Sequence, residues 1–139
     1  MKISEIMANR VVAARPNATC TSLAQKMLSG FVSGLPVTDD EGHVIGVVTE
    51  FDILKVLRKG KDGLSAVAEE IMTRDPICLE ADENVGEAIE LMAEHHIIRI
   101  PVVRNGKLVG IVSRTDILSA YVKEEFQVFE SSSIRVGEF

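Results

Sequence analysis

Tryptophan is absent from the 139 residues, tyrosine occurs once, and cysteine occurs twice. So few stacking surfaces, on a chain of net charge −6, argue against binding duplex or single-stranded nucleic acid. Cys20 and Cys78 are too few for a disulfide framework and fit a reducing cytoplasm. No apolar run approaches the roughly 18–20 residues that a membrane span requires. Met1-Lys2-Ile3-Ser4-Glu5 puts an acid where a secretory signal would carry its apolar stretch. There is no Walker-type loop or GxGxxG, so nucleotide hydrolysis and Rossmann redox chemistry lack their supports. No Ser-His-Asp, Cys-His or paired-carboxylate spacing is present, and an enzyme is not expected. What is there, 46% hydrophobic and 26% charged residues, describes a globular chain long enough to bury a core.

The informative feature is internal repetition. Ile6-Met7 recurs as Ile71-Met72 and Leu35-Pro36-Val37 as Ile100-Pro101-Val102, both 65 residues on. Gly46-Val-Val-Thr49-Glu-Phe-Asp52-Ile-Leu recurs 64 residues on as Gly110-Ile-Val-Ser113-Arg-Thr-Asp116-Ile-Leu. One deletion, in the turn where Asp39–His43 shortens to Arg104–Lys107, accounts for the change of offset. The chain therefore divides into a repeat over 1–58, a polar linker over 59–65, a repeat over 66–126 and a tail over 127–139. Each repeat predicts a short helical turn (Ile3 to Met7; Ala66 to Met72), then a brief strand (Val11–Ala13; Ile77–Leu79). An amphipathic helix follows, started by Thr21-Ser22 or by Asn84, then a hairpin (35–38 with 44–48; 100–103 with 108–112) and a last helix. The fold class is α+β: two β-α-β-β-α repeats, each with a three-stranded sheet and flanking helices. Neither repeat covers both faces of its sheet alone, so the two should pack about a pseudo-two-fold axis.

Chemistry points to the two strand-to-helix corners. Each sets a hydroxyl, Thr49 or Ser113, at a strand end and a carboxylate, Asp52 or Asp116, on the first helical turn. One reading is a capping box, with the acid reaching back to the cap N–H. The other is a ligand corner, where helix-start N–H groups favour an anion and the carboxylate accepts from a cis-diol such as a ribose. Duplication at matching places, with Asp where Glu or Gln is the usual box residue, favours the ligand reading.

Ile-Met in the leading turn, Leu/Ile-Pro-Val on the strand and Gly-h-h-Thr/Ser-x-x-Asp at the last helix (h being apolar) resemble the cystathionine-β-synthase (CBS) domain. Here it occurs as a tandem pair, a Bateman module, over about residues 1–122. The resemblance implies a regulatory unit that needs no cofactor for catalysis and binds AMP, ADP, ATP or S-adenosylmethionine in two clefts. It also implies a homodimer acting on a partner protein, as in energy sensing; the alternative is a ligand-free structural or protein-interaction module. For the first cleft it implies Asp52, Thr49, Phe51, Val47, Val32, Ala8, Val12 and Ala13, with Arg99 meeting phosphate from the other repeat. For the second it implies Asp116, Ser113, Thr115, Ile111, Ile97, Thr73, Ile77 and Cys78. Gly34 stands where Arg99 has its counterpart, so the second cleft is expected to lack that cation and to rely on Arg114, and the first to prefer phosphorylated ligands.

The remaining polar residues read more plainly. His95-His96 is a solvated helix end, since adjacent helical residues point apart and no acid or cysteine stands at ligand spacing; no metal site is expected. Cys78 reads as a small buried residue, and Cys20 as a loop thiol open to oxidation. Leu54, Val56 and Leu57 with Leu118 and Tyr121 form a candidate dimer face, and the tail could complete it or dock a partner.

Overall fold

The computed structural model describes residues 1–125; the tail over 127–139 lies outside them. After a 3-10 turn at Ile3–Glu5 the elements are α1 (Cys20–Gly30), β1 (Gly34–Thr38), β2 (Val44–Thr49) and α2 (Glu50–Leu57). A 3-10 turn over Lys61–Ser65 orders the linker. It leads to α3 (Ala68–Ile71), β3 (Thr73–Arg74), β4 (Leu79–Glu80), α4 (Val85–His95), β5 (Arg99–Arg104), β6 (Lys107–Ser113) and α5 (Arg114–Glu125).

Two sheets of three strands result, in the orders β1-β2-β3 and β4-β5-β6. Both hairpins are antiparallel, with Pro36 opposite Val47 and Pro101 opposite Ile111. Their turns follow from side-chain chemistry. The Asp39 carboxylate accepts from the backbone N–H of Glu41 and His43, both at 2.9 Å. Asn105 and Gly106 both take positive φ, as a two-residue primed turn demands. The two turns also bond each other: Val44 N–H donates to Gly106 at 3.2 Å and Leu108 N–H to Gly42 at 3.0 Å.

Each leading turn packs on the other repeat. Ile3 is fully buried among Leu79, Val85, Ile100, Val102 and Val112, while Ala68 and Met72 join Leu23, Met27, Leu35, Val37 and Val48. Backbone bonds fix both crossings: Ile3 N–H to Glu83 at 2.9 Å, and Ala68 N–H to Ala18 at 2.8 Å. The repeated methionines explain the repeated glycines. A Cβ on Gly110 would lie 2.5 Å from Met7 Sδ, and one on Gly46 would lie 2.8 Å from Met72 Cγ. The exchange is reciprocal, as a pseudo-two-fold relation requires.

Three local expectations are corrected. Val11–Ala13 is not a strand; only Ala14 bridges, to Val37, and the parallel strand of the second sheet is Leu79–Glu80, leaving Ile77 and Cys78 unpaired. The chain is pinned there only where it meets the neighbouring hairpin strand. Helix α1 starts at Cys20, one residue before Thr21, and Thr19 is its cap, accepting from Ser22 N–H at 3.2 Å. Cys20 is therefore a fully buried helical residue rather than a loop thiol, and burial raises its pKa, with Glu70 adding to the rise. Asn84 caps α4 as its position in the sequence suggests, accepting from Gly86 N–H at 2.8 Å.

Candidate functional site

Two clefts open between the repeats, close to the two strand-to-helix corners. The first, of about 400 Å³, is lined by Ser33, Gly34, Val47, Thr49, Glu50 and Phe51, and from the other repeat by His96, Ile97, Ile98 and Arg99. The second, of about 330 Å³, is lined by Ile111, Ser113, Thr115 and Arg99, and from the first repeat by Ala8, Arg10, Val11, Val12, Gly30, Phe31, Val32, Gly34 and Leu35. Both volumes lie within the roughly 300–1,000 Å³ of small-molecule sites.

The corners are built alike. β2 runs directly into α2 with Thr49 extended as its cap, and Asp52 Oδ2 accepts from Thr49 N–H at 2.8 Å and from Thr49 Oγ1–H at 3.2 Å. At the second corner Asp116 Oδ2 accepts from Ser113 N–H at 2.8 Å, and Asp116 N–H donates to Ser113 Oγ at 3.2 Å. Ser113 Oγ also lies 2.8 Å from Thr115 Oγ1. The carboxylates thus serve as capping boxes and do not line the clefts. Asp52 borders a separate groove with Lys55, Arg58 and Glu70. A carboxylate three residues into a helix meets the free cap N–H before anything else. What reaches each cleft is the hydroxyl that it touches.

The grouping of the other expected residues changes because the leading turns cross over. Ala8 pairs its backbone with Ile111, N–H to O at 2.9 Å and O to N–H at 3.1 Å, which carries Ala8, Val12 and Val32 to the second cleft rather than the first. Ile97 correspondingly lines the first cleft. Thr73 pairs with Val47 on the first sheet, but Thr73, Ile77, Cys78 and Ala13 line neither cleft. Ala13 presents its carbonyl to Lys26 Nζ at 3.3 Å. Arg114 is exposed and lines neither cleft, its N–H donating to Ile98 at 2.9 Å. Cys78 is half-buried, and burial raises its pKa, which disfavours a thiolate.

Arg99 carries the site's electrostatics. Its Nη1 donates to Ser33 Oγ across the repeats, and a Cβ on Gly34 would lie 3.3 Å from it. Burial lowers its pKa; Glu50 opposes that and Arg114 adds to it. No carboxylate pairs with it among the described residues. The expectation that the second cleft lacks this cation is corrected: Arg99 lines both, and Arg10 stands in the second as well. Sequence reasoning missed His96, Ile98 and Arg10 as cleft residues. Each lies one or two positions from a residue it did select, so the signal was adjacency along the loop. Among the described residues no group of three or more His, Cys, Asp or Glu could hold a metal, and no helix is long and apolar enough to cross a membrane.

Comparison with known proteins accounts for nearly all of the described chain. The family model described as CBS domain matches twice, at residues 3–59 and 67–123. An uncharacterized protein of Methanopyrus kandleri, MK0525, is 33% identical over 138 residues, covering 94% of this chain and 70% of its own. The CBS domain pair of protein MJ0100, solved in complex with 5′-methylthioadenosine and S-adenosyl-L-methionine, superposes with a TM-score of 0.79 at 28% identity, covering 89% of this chain and 98% of that one. CBSX2, solved in complex with AMP, gives 0.81 at 26% identity over the same shares.

Proposed function

The chain belongs to the CBS domain family, carrying the domain twice, and from that premise we propose that its two clefts bind adenosine-containing ligands and that it works as a regulatory module rather than a catalyst. The observation that carries the reading is the pair of clefts of nucleoside size, each bordered by a strand-to-helix hydroxyl and walled by apolar strand residues. The complexes of MJ0100 with two adenosine compounds and of CBSX2 with AMP support it.

In this reading Val47, Ile97 and Phe51 flank the base in the first cleft, and Ile111, Val12 and Val32 in the second. Thr49, Ser113 and Thr115 meet the sugar hydroxyls. Asp52 and Asp116 act as positioning residues through those hydroxyls, each with an Oδ1 that has no hydrogen-bond partner among the described residues. The ligand class is AMP, ADP, ATP or S-adenosylmethionine. Binding stabilises one arrangement of the repeats, to the extent that the ligand prefers it, and a partner protein reads that arrangement. Exposed Leu28, Leu54, Leu57, Leu118 and Tyr121 favour a homodimer built on the outer helices. Two unpaired cysteines favour the cytoplasm. A second reading, a structural or protein-interaction module that binds no ligand, is favoured by one observation: both carboxylates already have capping partners.

Thermal unfolding with and without AMP, ADP, ATP and S-adenosylmethionine tests the proposal. A ligand at one hundred times its Kd adds about 2.7 kcal/mol. Thr49→Val and Ser113→Ala should each weaken that stabilisation. No shift with any of the four ligands supports the second reading.

A further inference from the structure

Among the described residues, only Gly34 and Arg99 line both clefts. They are equivalent positions of the two repeats, opposite Thr49 and Ser113 respectively in the hairpin registers. One position has no side chain; the other sends its guanidinium across the gap that this leaves, onto Ser33 Oγ. A half-buried guanidinium has five N–H donors and seeks anions, yet here its one hydrogen-bond partner among the described residues is a neutral hydroxyl. The clefts differ in what else they hold: Glu50 and the His96 imidazole in the first, and the always-charged Arg10 in the second.

We propose that Arg99 is a single cation for which the two clefts compete, so that the second cleft takes a phosphorylated adenosine and thereby makes the first disfavour one. A phosphate in the second cleft draws the guanidinium toward itself and toward Arg10. The first cleft then loses its one permanent cation, and its Glu50 carboxylate and the neighbouring phosphate both repel a second anion. An unphosphorylated adenosine escapes this penalty and enters the first cleft freely. By linkage the coupling is reciprocal: anything that holds Arg99 in the first cleft weakens phosphate binding in the second. This rests on the adenosine reading above and deepens it by assigning unequal ligand charge to the two sites.

Calorimetric titration with AMP and, separately, with adenosine tests it. Wild type should bind AMP in two steps at least tenfold apart in Kd, and adenosine at two sites within about threefold. Arg99→Gln should weaken the tighter AMP step at least tenfold, bring the two steps together and leave adenosine unchanged. Arg10→Gln, at an exposed side chain, should weaken the tighter step alone, and Glu50→Gln should strengthen the weaker step alone. Two equal AMP sites in wild type, or an Arg99→Gln variant with both steps unchanged, overturn the competition while leaving the adenosine reading in place. Failure of adenosine, AMP, ADP, ATP and S-adenosylmethionine alike to bind wild type overturns both.

Discussion

Gly46→Ala is the sharpest test of the exchanged packing. Gly46 does not have a positive φ, so alanine adds no backbone strain, and a strand glycine replaced elsewhere by alanine would gain about 0.5–1 kcal/mol. Here the added Cβ lies 2.8 Å from Met72 Cγ and 3.0 Å from the Thr73 carbonyl oxygen, the second a backbone atom of the paired strand that cannot swing aside. Overpacking of this kind costs about 1–3 kcal/mol, so the net loss should be about 1–2 kcal/mol, a fall in Tm of about 3–8 °C. Met72→Ala alone, at a buried side chain, should lose about 2–5 kcal/mol. Combined with Gly46→Ala it should lose less than the sum, by about 1–2 kcal/mol, because the new methyl then has room. Urea and thermal unfolding of the four proteins close the cycle. Additivity within about 0.5 kcal/mol, or a stabilised Gly46→Ala, would refute the argument that a methionine from one repeat sets the glycine in the other.

Other outcomes follow from single residues. Ile3→Ala, fully buried in the second core, should cost about 2–5 kcal/mol in urea unfolding despite its place three residues from the N-terminus. The pKa of Asp39 is lowered, chiefly by the His43 backbone N–H, so its stabilising contribution is complete above the ordinary carboxylate pKa and fades as pH falls through the lowered one. Asp39→Asn should flatten that part of the acid limb in a Tm-against-pH series. Leu54→Glu, at an apolar side chain that is 56% exposed, should leave the monomer's fold intact and shift a dimer toward monomer in sedimentation.

The repeat, the hairpins and the helices from α2 onward were legible because each is written locally: periodicity for helices, Asp39 and Asn105-Gly106 for turns, Thr49, Asn84 and Ser113 for helix starts. Thr19 was missed as a cap because Thr21 and Ser22 offer the same chemistry two residues later, while the tertiary bond from Cys20 N–H to Ala66 O, which helps to fix the earlier start, is invisible in the local sequence. The crossing of the leading turns was illegible for a deeper reason. The pattern of Ile3, Ile6 and Met7 declares an apolar face but not which sheet will cover it, and two nearly identical sheets offer nearly identical partners. That one ambiguity exchanged Ala8, Val12 and Val32 with the Ile97 side of the site and hid the second cleft's cations. The aspartates were placed on the first helical turn, where they stand, but were assigned to a ligand; the geometry gives their carboxylates to the cap rather than to the cavity.

The reciprocal docking of Ile3 and Ala68 also means that the covalent join over Lys59–Ser65 is not what keeps the halves together. Severed there by a protease or split between two genes, either piece alone would expose the socket meant for the other's leading turn and should stay unstructured. Mixed in one tube, the two fragments should reassemble without a bond between them, a gain of far-UV circular dichroism over the separate pieces being the measurement that checks it.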